Sequence, residues 1–524
     1  MPYFPEITTL AEITRFHAAR NPDQTAIIFN DEATSYAQLD VLTSKVANGL
    51  VAEGIPPQSR IAYLGKNSTA YIELMLGCAK ANCAIVGVNW RLAAPEVEYI
   101  ANDAEATVFF VDEEFFPIID KIRDQLKTVK KIITLSGNRD EWEDYATWRD
   151  SQSDTDPMIP IDYEDVALQM YTSGTTGKPK GVQMTHRGFL ALAPGFSDTG
   201  KWNEWDDSDV SLIPMPVFHI GGTGWVFQSL YNGCAGVIMP VADAGDILEY
   251  IEKYKITKVF VVPAVLQFLL AHENAATTDV SSMKVILYGA SPIPEAVLVG
   301  SMELFPNSSF VQLYGMTETN GSVTYLPPEE HVVGNERLKS CGKPFEGCEI
   351  KIVDSDGNEV PAREVGEIVV KSDALMKGYW NLDEATEQAV RDGWYYSGDA
   401  GYLDEGGFLY IHDRLKDMIV SGGENIYPAE VESALSLHDS VADIAVIGVP
   451  SERWGEEVKA LIVKAPGTDP DPAELMAFAR ERIAGFKVPK SIEFLEELPR
   501  NPSGKLMKRD LREPYWEGHE SRVV

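Results

Sequence analysis

The stretch YTSGTTGKPKGV, residues 171–182, carries the strongest structural signal in the 524-residue chain. An apolar run, Val166-Ala167-Leu168-Gln169-Met170-Tyr171, leads into it and predicts a buried strand. Thr172, Ser173, Gly174, Thr175, Thr176 and Gly177 then set hydroxyls among glycines, and Lys178 and Lys180 flank Pro179. Glycine lets the backbone turn its N–H groups toward a ligand at close range, and hydroxyls and ammonium groups add further donors. That is the chemistry of a polyphosphate cradle. It is not a Walker loop, which needs four residues between its glycines and a Ser or Thr after the lysine. Here Gly174 and Gly177 are two residues apart, and Pro179 follows Lys178. Taken alone, the loop reads equally well as a polar turn between strands.

Working outward toward the N-terminus, helices and short strands alternate. Ala11–Asn21, Ser35–Glu53, Ser68–Ala81 and Pro95–Asp103 read as helices, and Thr25–Phe29, Arg60–Leu64, Ile85–Val88 and Thr107–Val111 as strands. Such alternation predicts βαβ units and a largely parallel sheet. Toward the C-terminus, His186–Ala193 reads as a helix and Ser211–Phe218 as an apolar strand ending at His219. Helices are expected over Gly224–Tyr231, Asp246–Tyr254 and Pro263–His272. Strands are expected over Lys258–Val262, Lys284–Tyr288 and Phe310–Leu313. The strands at 284–288 and 310–313 run into Gly289-Ala290-Ser291 and Tyr314-Gly315-Met316-Thr317-Glu318, and ligands bind open α/β sheets at strand C-terminal ends. From Gly342 to Tyr410 short strands and turns predict a small β-barrel-like subdomain, followed by a small α+β domain with a hinge near Arg414-Leu415-Lys416-Asp417. The expected division is residues 1–414 and 415–524.

Composition narrows the class. A chain this long exceeds one ordinary core, and 44% hydrophobic content suits a globular enzyme. Met1 to Phe16 carries Glu6 and Glu12 before its first basic side chain, unlike a signal peptide. The longest apolar stretch, Val259–Ala271, is too short to cross a bilayer. The expectation is a cytoplasmic protein, with peripheral membrane contact and a homodimer left open. Five cysteines without zinc spacing predict free thiols. A formal charge of −35 argues against nucleic acid. An enzyme of anionic nucleotides must then gather positive charge locally. Residues 480–512 hold nine Lys/Arg against five Asp/Glu, a local excess of +4, which reads either as a basic rim or as chance.

Several further strings have chemistry of their own. In 314–318 an aromatic face, a hydroxyl and a carboxylate suit a base, a phosphate and a hard cation such as Mg²⁺; a strand-end turn capped by Thr317 is the plainer alternative. Asp399, in YSGD (396–399), could accept two hydroxyl bonds or merely close a turn. Lys505 ends NPSGK (501–505), where a cation between two anions would offset their repulsion.

Together these strings, in this order, resemble the adenylate-forming superfamily over nearly the whole chain, and most closely its fatty acyl-CoA ligases. The resemblance implies a large α/β N-terminal domain of doubly wound sheets with a β-barrel-like subdomain, and a small mobile C-terminal α+β domain. It implies ATP, Mg²⁺ and coenzyme A, and a small-molecule carboxylic acid activated as an acyl-adenylate with loss of pyrophosphate. By resemblance, residues 172–178, 289–291 and 314–317 contact the nucleotide, as do Asp399, Arg414 and Lys505. Glu318 meets the metal. Lys505, His219, Thr317 and Glu318 serve the chemistry. Gly422, Gly423 and Lys487 face coenzyme A, and Lys416 is the hinge. A medium- or long-chain fatty acid is the expected substrate, from the apolar strands at 211–218 and 258–262. Aryl or sterol side-chain acids, a carrier protein in place of coenzyme A, and luciferase-like oxygenation remain alternatives.

Overall fold

The computed structural model describes residues 4–172, 178–191, 200–414, 417–421, 424–451, 453–500 and 506–517. By packing the chain forms two compact units. The larger comprises residues 1–349 and 370–395, the smaller 350–369 and 396–524. Packing thus groups Ile350–Val369 and the residues from Tyr396 onward with the C-terminal part, earlier in the chain than the division expected at 414/415.

Two mainly parallel sheets build the larger unit. One has eight strands in the order Gly378–Tyr379, Lys180–Thr185, Val166–Thr172, Ala84–Gly87, Arg60–Leu64, Val108–Val111, Lys131–Thr134 and Glu143–Asp144. The other has nine, in the order Lys343–Pro344, Gly321–Leu326, Ser309–Met316, Val285–Gly289, Lys258–Val261, Val210–Ile213, Ala235–Ile238, Thr25–Phe29 and Glu32–Ser35. The inner strands read as unbroken apolar runs because helices cover both faces. Val108–Val111 is buried at every position, and burying Phe109 and Phe110 contributes about 1.5–3 kcal/mol each.

The helices start where their caps permit. Tyr36–Ala52 is entered through Ser35, whose hydroxyl accepts from Gln38 N at 3.3 Å while Gln38 Oε1 accepts from Ser35 N at 2.8 Å. This reciprocal pair satisfies two backbone donors that the helix leaves unmatched.

Three expectations need correction. The strand foreseen over 211–218 is only Val210–Ile213, because Pro214 and Pro216 have no N–H to give a ladder. The next helix begins earlier than foreseen, at Ile220, with His219 as its N-cap residue. The strand foreseen over 310–313 runs on to Met316. Tyr314, Gly315 and Met316 pair antiparallel with Thr324, Ser322 and Gly321, so they lie in the sheet rather than beyond it.

In the smaller unit Val441–Ser451 pairs antiparallel with Gly455–Lys464, which takes Ser491–Leu495 as a parallel neighbour. Pro428–Leu435 and Pro472–Arg480 pack Val431, Leu435, Leu475 and Ala479 onto this sheet. All five cysteines are free and buried.

Candidate active site

In the larger unit the strands Val166–Thr172 and Lys180–Thr185 form an antiparallel hairpin closed by the pair Thr172↔Lys180. The expected cradle lies between these strands in the sequence. Ser173, Gly174, Thr175, Thr176 and Gly177 lie outside the described residues. The limbs are held by tyrosines. Lys178 is exposed, and its ammonium sits 5.3 Å from the centroid of the Tyr99 ring, a cation–π distance. The Tyr99 hydroxyl donates to Pro179 O at 3.1 Å. Tyr171 donates to Asp103 Oδ2 at 2.7 Å. Lys180 lies 4.7 Å from the centroid of Tyr379.

Glu318 is buried, 8% exposed, in the 3₁₀ turn Thr317–Thr319. Thr172 Oγ1 donates to its Oε1 at 3.2 Å and the Tyr379 hydroxyl donates to the same oxygen at 3.1 Å. The fold thereby brings together two predicted site residues, Thr172 and Glu318, that are 146 positions apart. Burying a carboxylate is costly unless it is hydrogen-bonded, and here two hydroxyls supply the bonds. The hydroxyl that bonds Met316 N, at 3.2 Å, belongs to Thr319, so the capping alternative for Thr317 falls to its neighbour.

Gly289 and Gly315 lie where a side chain has no room. A Cβ on Gly289 would stand 2.2 Å from Leu313 O, and one on Gly315 1.7 Å from Gly321 O. Ala290 follows at φ +67°, in the left-handed region that a Cβ disfavours, and Ala290 and Ser291 are exposed. Tyr314, Met316 and Thr317 are half-buried beside them.

His219 lies at the N-terminus of the helix Ile220–Tyr231, its ring 4.6 Å from that of Phe218. Its Nε2 is enclosed and has no hydrogen-bond partner among the described residues. Burial, reinforced by the nearby Arg91 cation, lowers its pKa to about 4. The imidazole is therefore neutral at neutral pH, with one ring nitrogen uncommitted.

In the smaller unit Asp399 faces Arg414 across paired strands and is 8% exposed. Its backbone N–H donates to Ser397 Oγ at 3.0 Å, and that hydroxyl donates to Ile368 O at 2.7 Å. The side chain of Arg414 lies outside the described residues, as do Lys416, Gly422, Gly423 and Lys505. Lys487 is already partnered: its ammonium donates to both oxygens of Glu430 at 2.7 Å. An anion approaching Lys487 competes with that carboxylate.

A family model described as AMP-binding enzyme matches residues 14–380, and one for the AMP-binding enzyme C-terminal domain matches residues 430–505. The chain belongs to the AMP-binding enzyme family. It is an AMP-forming acid–thiol ligase of the adenylate-forming kind. It is 40% identical to a fatty acid–[acyl-carrier-protein] ligase, ScoC, of Streptomyces coeruleorubidus, over 100% of this chain and 99% of that protein. It is 37% identical to a feruloyl-CoA synthase of an Amycolatopsis species, over 95% of this chain and 97% of that one. Among solved structures it is similar to the anthranilate CoA ligase AuaEII in complex with anthranoyl-AMP. That likeness has a TM-score of 0.89 and 28% identity, covering 98% of each chain.

The residues of this AMP-binding enzyme suit a magnesium ion carried in with the nucleotide. Among the described residues no three or more His, Cys, Asp or Glu gather into a metal cage. Both hydroxyl bonds to Glu318 fall on Oε1. Mg²⁺ is held in such sites by one or two carboxylates together with substrate phosphates and water, a shell that one oriented carboxylate at a phosphate loop can complete. No helix among the described residues is long and apolar enough to cross a membrane.

Tyr99 and Tyr379 escape a reading of the sequence. Their only trace is aromatic: Tyr379 in the Gly378-Tyr379-Trp380 run, Tyr99 inside an ordinary amphipathic helix. Nothing local marks either as a partner of Lys178 or Lys180.

Proposed function

We propose that this ligase activates a medium- or long-chain fatty acid with ATP and passes the acyl group to coenzyme A. The acid's carboxylate attacks the α-phosphate of ATP, giving acyl-adenylate and pyrophosphate; the thiol then displaces AMP. The observation that carries the first step is the buried Glu318 carboxylate, oriented by Thr172 and Tyr379 beside the limbs of the cradle. Bound Mg²⁺ would supply charge neutralisation at the phosphates, held by Glu318. Residues 172–178 bind the phosphates, with Lys178 supplying a cation at the loop. Tyr314 and residues 289–291 flank the adenine, Thr317 bonds the α-phosphate, and Asp399 and Arg414 hold the ribose. The role we give Lys505 is to offset the repulsion between carboxylate and α-phosphate, two anions that must meet. Lys416 is the hinge, and Gly422, Gly423 and Lys487 meet the thiol arm, Lys487 after giving up Glu430.

Support for an apolar acid comes from His219. A neutral imidazole with an uncommitted nitrogen, packed on Phe218, can hydrogen-bond a carboxyl group without drawing a second charge into an apolar wall. A second acceptor is favoured by one finding: the 40% identical relative is named for an acyl-carrier protein. Pyrophosphate release over a panel from octanoate to stearate, with hydroxycinnamates and a sterol side-chain acid, tests the acid. AMP release with coenzyme A or a phosphopantetheinylated carrier protein tests the acceptor. Saturated fatty acids and coenzyme A should give the highest kcat/KM; a preference for ferulate, or for the carrier, overturns that part of the proposal.

A further inference from the structure

Residues 374–380 run between the cradle hairpin and the Glu318 turn and are bonded to both. Toward the hairpin, Gly378 and Tyr379 pair with Gln183 and Val182 as a short antiparallel ladder. Lys377 N donates to Gln183 O at 2.9 Å and Trp380 N to Gly181 O at 2.7 Å. Toward the turn, Met376 N donates to Glu318 O at 2.8 Å, and the Asn320 amide donates to Ala374 O. One side chain joins the two sides. Tyr379 gives its hydroxyl to Glu318 Oε1 at 3.1 Å and lays its ring 4.7 Å from the Lys180 ammonium. Its own place is fixed: it is 6% exposed, and its backbone N–H donates to Thr386 Oγ1 at 2.9 Å.

We propose that Tyr379 is a positioning residue of the adenylation step, holding one oxygen of Glu318 so that the other is presented to the nucleotide-bound cation. The inference rests on Glu318 being the carboxylate that meets the metal. A hydroxyl bond to a buried carboxylate is charge-assisted and directional. Without it Glu318 keeps Thr172 on the same oxygen but is free to turn about that single bond. The ring's second contact ties the same residue to the Lys180 limb, so hairpin and turn are set by one anchor.

The test compares four full-length proteins: wild type, Tyr379→Phe, Glu318→Gln and the double variant. Manganese serves as the probe, read by loss of the free-ion EPR signal in the presence of ATP, alongside binding of metal-free ATP and the melting temperature. Phe retains the ring, so metal-free ATP binding should stay at the wild-type value, and melting should drop by only a few degrees for the lost buried bond. Mn–ATP affinity should fall roughly tenfold, the scale of one hydrogen bond to a charged group. Glu318→Gln should fall at least as far, and adding Tyr379→Phe to it should change nothing more. If Glu318→Gln weakens Mn–ATP and Tyr379→Phe does not, or if the two effects add, Tyr379 does not act through Glu318 and the proposal is wrong. If Glu318→Gln binds Mn–ATP like wild type, the role given to Glu318 fails, and this inference fails with it.

Discussion

At the scale of single residues, His219 combines an enclosed nitrogen with a pKa lowered to about 4. A group that titrates there is neutral through the whole range in which such an enzyme works. The pH profile of pyrophosphate release should therefore carry no inflection from His219 above about pH 5. His219→Ala removes the hydrogen-bonding partner proposed for the acid while leaving the Thr172–Glu318–Tyr379 contacts intact. It should raise KM for the acid roughly tenfold and leave KM for ATP within about twofold. Equal increases in both would mean that His219 acts on the fold rather than on the acid. The residue was a candidate through the family resemblance alone, since a histidine beside an apolar strand is by itself more often structural. What the sequence concealed was its lowered pKa, which comes from burial by distant elements and from the Arg91 cation, more than a hundred positions away.

At the scale of elements, strands were easier to find than their ends. Thr25–Phe29 and Arg60–Leu64 match their expected spans, because a short apolar run between turn signals leaves little latitude. The strand at 210–213 was overread because its apolar residues continue past two prolines. The strand at 309–316 was underread because Tyr314-Gly315-Met316 looks like a turn, yet Gly321–Leu326 returns beside it as an antiparallel partner. Gly315 makes that return possible. Gly315→Ala would put a Cβ 1.7 Å from Gly321 O, and only the backbone can yield. The expected result is a loss of about 2–4 kcal/mol in urea unfolding of the larger unit, with weaker MgATP binding because Thr317 and Glu318 hang from the same strand. A variant of wild-type stability would show that the two strands are not held at this spacing. The Tyr379–Glu318 bond spans 61 positions and leaves no periodic mark, so no local rule exposes it.

At the scale of the molecule, three buried histidines of the larger unit set a pH dependence of stability. Burial lowers His186, His219 and His331 to about 4. Loss of solvent is the cause at each: His186 Nδ1 accepts from Leu10 N at 3.1 Å, a bond that needs an unprotonated nitrogen, and at His331 the bond to Pro327 O at 2.9 Å favours the charged ring but does not outweigh burial. In the unfolded chain each titrates near 6.5. Between about pH 6.5 and 4 the unfolded state holds more protons than the folded one, so stability falls as pH falls through that window. It is complete above about pH 7, where all three are neutral in both states. By pH 5 the loss is roughly 2 kcal/mol per histidine. Urea midpoints should drop steadily from pH 7 to pH 5, and His331→Gln, though less stable at pH 7, should show a shallower slope. An unchanged slope would mean that His331 gains its proton in the folded state.

The same burial that quiets the histidines also silences the thiols. Cys78, Cys83, Cys234 and Cys348 are held as protonated thiols by their apolar surroundings, Cys83 and Cys234 pushed up to about 12 and Cys348 to about 11. Cys341 is buried with them. An acyl-adenylate is a mixed anhydride that acylates any thiolate within reach, and only the thiolate is a competent nucleophile. A protein that makes such a compound, and hands it to an outside sulfur, keeps its own sulfurs out of the contest: it is built not to acylate its own thiols.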